Sequence, residues 1–250
     1  MSQDQLGARV YSSGDTVGKI EMGQRTPSHE FTAACDAVPE LQTAGALTEL
    51  RAQLSDTLKL RAYPGWFQEW SRKEAEAVSL RWYEPLIVPG LLQTEEYARA
   101  VLRTRVGDTD EQVEEMVAAR MERQAILSRA KPPTLWAVID EGVLRRLIGS
   151  GKVMRDQLLH LAEMARRPHI VLQVVPASVG AYEGLRGVFI LASFDNAPDV
   201  AYQDAAIFGQ FLEDAAGIAA VTAAWDTIKS EALPRGASLE LVEEVAKIWT

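Results

Sequence analysis

The hydrophobic period changes at Pro132-Pro133, and no other feature restricts the fold so sharply. Ahead of that pair, "DTDEQVEEMVAARMERQAILSR" spaces its apolar residues for a long amphipathic helix. Two prolines remove two backbone donors and end it. Beyond them, short runs rich in β-branched residues alternate with helical ones. "TLWAVID", "HIVLQVVP", "GVFILASF" and "DVAYQD" read as strands, while "EGVLRRLIG" and "VMRDQLLHLAEMARR" read as helices, the second stopped by Pro168. The tail, "GQFLEDAAGIAAVTAAWDTIKSEAL" and "SLELVEEVAKIW", returns to the helical period. This order predicts an α+β domain, a small mixed sheet sheathed in helices.

Upstream the pattern is wholly helical. "SQDQLGARV" has Ser2 to cap a first helix and Gln5 at the reciprocal capping-box position. "YSSG" is a tight break, and a second helix follows from Ser12 or Ser13 to a left-handed exit at Gly23. "PSHEFTAACDAV" predicts a third helix with Phe31, Ala34, Cys35 and Val38 on one face, and "LQTAGALTELRAQLSDTLKL" a fourth. At "RAYPGWFQEWSRKEAEAV" the character changes: Pro64-Gly65 breaks the helix, and Tyr63, Trp66, Phe67 and Trp70 cluster. The expected organisation is therefore an all-α unit over 1–60 and an α+β domain over 61–250. Pro85 and Pro89 keep "SLRWYEPLIVPGLLQ" from being one regular helix, and Thr94 caps the helix "EEYARAVLRTR".

A chain of 250 residues with 47% apolar and 24% charged residues suits one large or two modest globular domains. A single cysteine, Cys35, allows no internal disulfide and reads as a small buried apolar residue. No signal-peptide pattern and no uncharged apolar run of about 18 residues occurs, so a cytoplasmic location off the membrane is expected. The net charge of −9 opposes non-specific attraction to polyanions. Locally the balance is acidic too. Over 1–60, Arg9, Lys19, Arg25, Arg51 and Lys59 are outnumbered by Asp4, Asp15, Glu21, Glu30, Asp36, Glu40, Glu49 and Asp56.

The helix–tight turn–helix over residues 2–22 carries the clearest functional signal. A DNA reader of this kind lays its second helix in a major groove with the first turn at the base edges. Ser13, Gly14, Asp15 and Thr16 occupy that turn, and Lys19 stands one turn on, placed for a phosphate. The string "QLGARVYSSGDTVGKIEMGQRTPS" resembles the Cro/cI-type (XRE) helix-turn-helix family. Leu6, Ala8, Val17, Ile20, Glu21, Gly23, Arg25 and Pro27 stand on that family's fixed points, and Gly18 replaces its usual serine. The resemblance implies double-stranded operator DNA as partner, with Arg25 joining Lys19 at the backbone. That family packs five helices, and its first would precede Ser2. The unit is thus expected to lack one wall, with Leu6 and Val10 partly wet. A late start, a substitute wall and lost DNA binding each account for that.

A second resemblance covers about Trp66 to the C-terminus. "WYEPLIVPGLLQTEEYARAVL", "ARMERQAIL", "VIDEGVLRRLIG", "LQVVP" and "GVFILASF" are similar to the large C-terminal domain of actinobacterial regulators of the WhiJ/AbaA type, also described as Scr-type antitoxin-like. "PGLLQT" at 89–94 is the most specific string. The resemblance implies a transcriptional regulator, a homodimer, and a small neighbour-encoded protein as a further partner. Physically, "PGLLQT" is either the lip of a pocket lined by Trp82, Tyr83 and Gln93 or a buried turn anchoring the next helix. "YEGLRG" and "AYQD" bring Tyr182 and Tyr202 to the same candidate pocket, with plain packing as the alternative.

Enzyme signatures fail on inspection. "GDTVGKI" and "GSGK" lack the spacing or the hydroxyl of a phosphate-binding loop, and His29, His160 and His169 have no metal-ligand spacing. Neighbouring carboxylates such as Glu114-Glu115 point apart on a helix. No catalytic residue, metal or cofactor is expected. The reading is a DNA-binding transcriptional regulator whose 61–250 domain dimerises and senses a small protein or ligand. The runner-up is an antitoxin-like adaptor that has lost DNA binding, and an enzyme has only the α+β pattern behind it.

Overall fold

A computed structural model describes residues 1–23, 27–51, 65–203 and 209–249. The chain divides into two compact units, Met1–Arg61 and Ala62–Thr250. In the first, helix α1 (Gln3–Arg9) starts at a complete capping box: Ser2 Oγ accepts from Gln5 N–H and Gln5 Oε1 from Ser2 N–H. Tyr11, in the left-handed region at φ 54°, makes the turn into α2 (Gly14–Glu21), capped by Ser13. Gly23 takes the left-handed exit at φ 70°. Ser28 caps α3 (His29–Asp36), and helix α4 occupies 46–51 of the described residues. The core is small. Val10, Cys35 and Val38 are buried, with Leu6, Phe31, Ala34, Leu41 and Leu47 packed around them. Val10 is therefore not wet as expected: it is 5% exposed, covered by α3 and the segment after it, while Leu6 is half-buried.

The second unit is a six-stranded mixed sheet between helices, the α+β architecture expected from the sequence. Its order is β3-β2-β1-β4-β5-β6, from β1 (Ser79–Glu84), β2 (Thr134–Asp140), β3 (Ile170–Val175), β4 (Phe189–Ser193), β5 (Val200–Gln203) and β6 (Gln210–Leu212). The first three strands run parallel, and β4, β5 and β6 add on antiparallel. Helices α5 (Gly65–Glu76), α6 (Glu95–Leu102), α7 (Asp110–Arg123), α8 (Glu141–Arg145), α9 (Gly151–Ala165), α10 (Ala215–Glu231) and α11 (Arg235–Ala246) complete it. The β1–β2 and β2–β3 connections are long enough to carry helices, as parallel pairing requires.

Strand alternation sorts the side chains into two cores. Leu80, Trp82, Leu135, Ala137, Ile190 and Tyr202 join α5, α9 and α11 on one face, while Tyr83, Val138, Leu191 and Ala201 meet Val221, Trp225 and Ile228 of α10 on the other. Three elements go beyond or against the sequence expectation. β1 lies in the proline-interrupted stretch, and residues 210–212 form β6 where a continuous helix was expected, with Asp214 capping α10 only afterwards. The long helix also closes early, at Arg123, and finishes as a 3-10 turn over Gln124–Ser128.

Candidate functional site

In the first unit, α1 and α2 approach closely because the contact is made of glycine. A Cβ on buried Gly7 would lie 2.8 Å from Ser12 O and 3.0 Å from Gly14 N, both backbone atoms. Gly18, also buried, faces the Gln3 amide, and Gln3 Nε2 donates to Glu21 Oε2 across the pair at 2.8 Å. Gly7, not the exposed Ala8, is thus the small residue the helix pair needs. The first turn of α2 faces solvent: Ser13, Asp15 and Lys19 are exposed, Gly14 and Thr16 half-buried. Ser13 Oγ accepts from Thr16 N–H at 3.1 Å and lies 2.9 Å from Thr16 Oγ1, so the two hydroxyls hold each other. Lys19 Nζ donates to Asp15 Oδ2 at 2.8 Å. Arg25 lies outside the described residues. Arg9 pairs with Glu40, and Arg51 Nε donates to Pro27 O.

In the second unit, ligands of open α/β sheets are expected at the carboxyl ends of parallel strands, where strand order reverses. Here β1 sits between parallel β2 and antiparallel β4. The chain from β3 to β4 must cross those strand ends, and it is pinned there. Tyr182 donates to Asp140 Oδ2 at 2.7 Å, and its hydroxyl lies 2.7 Å from that of Tyr83. Glu141 Oε2 accepts from Ala177 N–H at 2.9 Å. Asp140 has a second duty, capping α8 through Gly142 N–H. Gly184 lies over Tyr83 so closely that a Cβ would sit 2.1 Å from the phenol oxygen. Burial, opposed by the Tyr182 hydrogen bond, pushes Tyr83 up to about 12; Tyr182 is raised further by burial and by its Tyr83 and Asp140 bonds. Neither is poised to exchange a proton near neutral pH.

The "PGLLQT" string makes a single 3-10 turn over Gly90–Leu92, whose three residues are all buried. Gln93 Nε2 donates to Val88 O at 2.7 Å, and Arg120 Nη1 donates to Gln93 Oε1 at 2.8 Å. Gln124 Nε2 donates to both Gly90 O and Gln93 O. From α9, Gln157 Oε1 accepts from Thr94 N–H at 2.7 Å while its Nε2 donates to Leu92 O at 2.8 Å. Beside this network Glu74, wholly buried, meets Arg123 Nε at 2.9 Å and accepts from Trp70 Nε1. Loss of water raises its carboxyl above the ordinary range, an effect that Arg123, Trp70 and Arg120 oppose.

Residues 67–244 match the family described as "Domain of unknown function (DUF5753)". The chain belongs to this DUF5753 family. Comparison with curated proteins and with solved structures returns no match. Among the described residues no helix is long and apolar enough to cross a membrane, and no group of His, Cys, Asp and Glu is placed to hold a metal ion.

Within the DUF5753 domain the five residues assigned to a candidate pocket do not line one cavity. Trp82 and Tyr83 belong to the cores on opposite faces of the sheet, as neighbours on a strand must. Gln93 is spent on the turn. Tyr202 stacks on Trp70 with ring centroids 4.8 Å apart, and Phe67 and Phe211 complete that aromatic cluster. Tyr83 and Tyr182 do meet, through their hydroxyls. Asp204 and Tyr63 lie outside the described residues. Cavities of about 230 and 260 Å³ lie elsewhere: one among Lys73, Glu76, Asp199 and Glu213, the other between Glu183, Arg186, Phe189 and α10. Sequence reasoning missed Gln157, Arg120 and Gln124 as partners of the DUF5753 turn. For Gln157 the signal was present: it is a polar residue on the apolar stripe of Met154, Leu158 and Leu161.

Proposed function

We propose that this protein is a DNA-binding transcriptional regulator of the WhiJ/AbaA, antitoxin-like kind, with α2 reading a major groove and the DUF5753 domain as its effector part. Its site is cytoplasmic and its working form a homodimer, with a small partner protein or ligand acting on the second unit. One observation carries the reading: Asp15 and Lys19 stand exposed together on one face of α2, with Ser13 exposed at its start, and the helix is seated on α1 through Gly7. The Cro/cI-type sequence pattern and the DUF5753 match, in that order along the chain, support it.

The test is selection from a random double-stranded DNA library with the full chain, followed by affinity against salt. Lys19 and Arg25 offer two phosphate contacts per chain and four per dimer. The logarithmic slope is then about −3.6, or roughly a 150-fold loss between 50 and 200 mM salt. A chain that enriches no sequence rejects the reading. The acidic balance of the first unit, with Lys19 held by Asp15 and Arg9 by Glu40, favours a second one, an adaptor without DNA affinity. Co-purification of a small partner with no DNA binding at low salt selects it.

A further inference from the structure

We infer that Asp15 is the base-reading residue of α2 and that it selects cytosine, accepting a hydrogen bond from the exocyclic N4 amine; this rests on the DNA reading above. Of the four residues in that turn, three are less suited to the task. Ser13 and Thr16 hold each other's hydroxyls at 2.9 Å, and Ser13 also caps the helix. Gly14 has no side chain, and a Cβ there would fall 1.9 Å from Asp4 Oδ1, so Asp4 occupies the space a longer residue would use. Asp15 remains, its side chain 72% exposed, with Oδ2 held by Lys19 Nζ at 2.8 Å. That ion pair orients the carboxylate and leaves Oδ1 to meet a base.

A carboxylate only accepts. In the major groove guanine offers N7 and O6 acceptors and thymine the O4 acceptor, so both meet it with like partial charge. Adenine pairs its N6 donor with an adjacent N7 acceptor. Cytosine alone presents a donor with no acceptor on its own major-groove edge, where C5–H lies on the side away from the paired guanine. Asp4, lying over the same helix end, adds negative charge and sharpens the bias against acceptor edges and against phosphates. The residue at this ridge therefore sets sequence preference more than it adds affinity.

The experiment is library selection with the full-length wild-type chain and with Asp15→Ala and Asp15→Asn, scoring base preference position by position. The wild type is expected to enrich sites with one fixed cytosine per half-site. Asp15→Ala flattens that position alone and weakens binding to the selected site about tenfold. Asp15→Asn moves the preference to adenine, whose N6 and N7 match an amide. Unchanged preference in Asp15→Ala, or equal tightening on every sequence, overturns the inference while leaving DNA reading intact. Failure of the wild type to enrich any sequence overturns the DNA reading, and this inference with it.

Discussion

Replacing Gln93 by leucine separates a turn that anchors the fold from a lip that admits a ligand. Gln93 is 1% exposed, and its amide holds Val88 O and Arg120 Nη1 at 2.7 and 2.8 Å. Leucine fills much the same volume with no polar atom. The buried Val88 carbonyl loses that donor, at about 1–3 kcal/mol, and the guanidinium loses a charge-assisted bond of about 1.5–3 kcal/mol. Added apolar burial returns about 1 kcal/mol. The net loss is about 1.5–5 kcal/mol. For a unit the size of Ala62–Thr250 that lowers the melting temperature by roughly 3–20 °C.

Thermal unfolding followed by circular dichroism or calorimetry reads the shift directly. Gln157→Leu should cost a similar amount, because it frees Thr94 N–H and Leu92 O of the same turn. The double variant should lose less than the sum, since the two glutamines brace one segment. A Gln93→Leu chain that melts within about 1 °C of the parent would refute the structural account of "PGLLQT".

Gly7→Ala should destabilise the first unit by about 1–2 kcal/mol, because backbone crowding outweighs the helix-propensity gain of about 1 kcal/mol. Hydrogen exchange would show faster opening of α1 and α2 with the second unit unchanged. Asp36, held down to about 2 by hydrogen bonds from Thr48, Thr43 and Leu47, should brace α3 against α4 above the ordinary aspartate range near 4. That contribution is lost as pH falls through about 2, and amide exchange of Leu47 and Thr48 should accelerate in step; Asp36→Ala should abolish the pH dependence. At the alkaline end, Tyr83 ionises near 10 when unfolded and near 12 when folded. Stability of the second unit should therefore decline as pH rises from about 10 to about 12, and Tyr83→Phe should make that decline shallower in chemical denaturation, with Tyr182 and Tyr97 still contributing.

Local chemistry was legible in the sequence wherever a few adjacent residues decide the outcome. The Ser2–Gln5 box, a serine cap at 12 or 13, the Thr94 cap and the left-handed Gly23 all follow from neighbours within four positions. Strand β1 was hidden because Pro85 and Pro89 dominate its surroundings and because Trp82, Tyr83 and Glu84, all buried, break the alternation of a half-wet strand. With three residues, β6 has no period to read. The candidate pocket failed for a geometric reason. Trp82 and Tyr83 are adjacent in sequence, which places them on opposite sides of the sheet. The contacts by which Arg120, Gln124 and Gln157 fix "PGLLQT" join residues 27 to 65 positions apart, a distance that periodicity does not reach.

Topology explains why the usual ligand position of such a sheet is filled by the protein itself. Strand β3 ends at the outer edge of the parallel set, and β4 begins beside Tyr83 on the far side of β1. The link between them has to pass over the carboxyl ends of β2 and β1. Tyr182, Glu141 and Gly184 hold it there by contacts of 2.7 Å, 2.9 Å and near-contact with Tyr83. A crevice at that point would expose Tyr83 and Asp140, two polar groups that now satisfy Tyr182 and each other's neighbours within the core. Any response of the second unit to a partner is thus better sought on its outer surfaces than at the strand ends, because opening the strand ends breaks three hydrogen bonds before a ligand makes one.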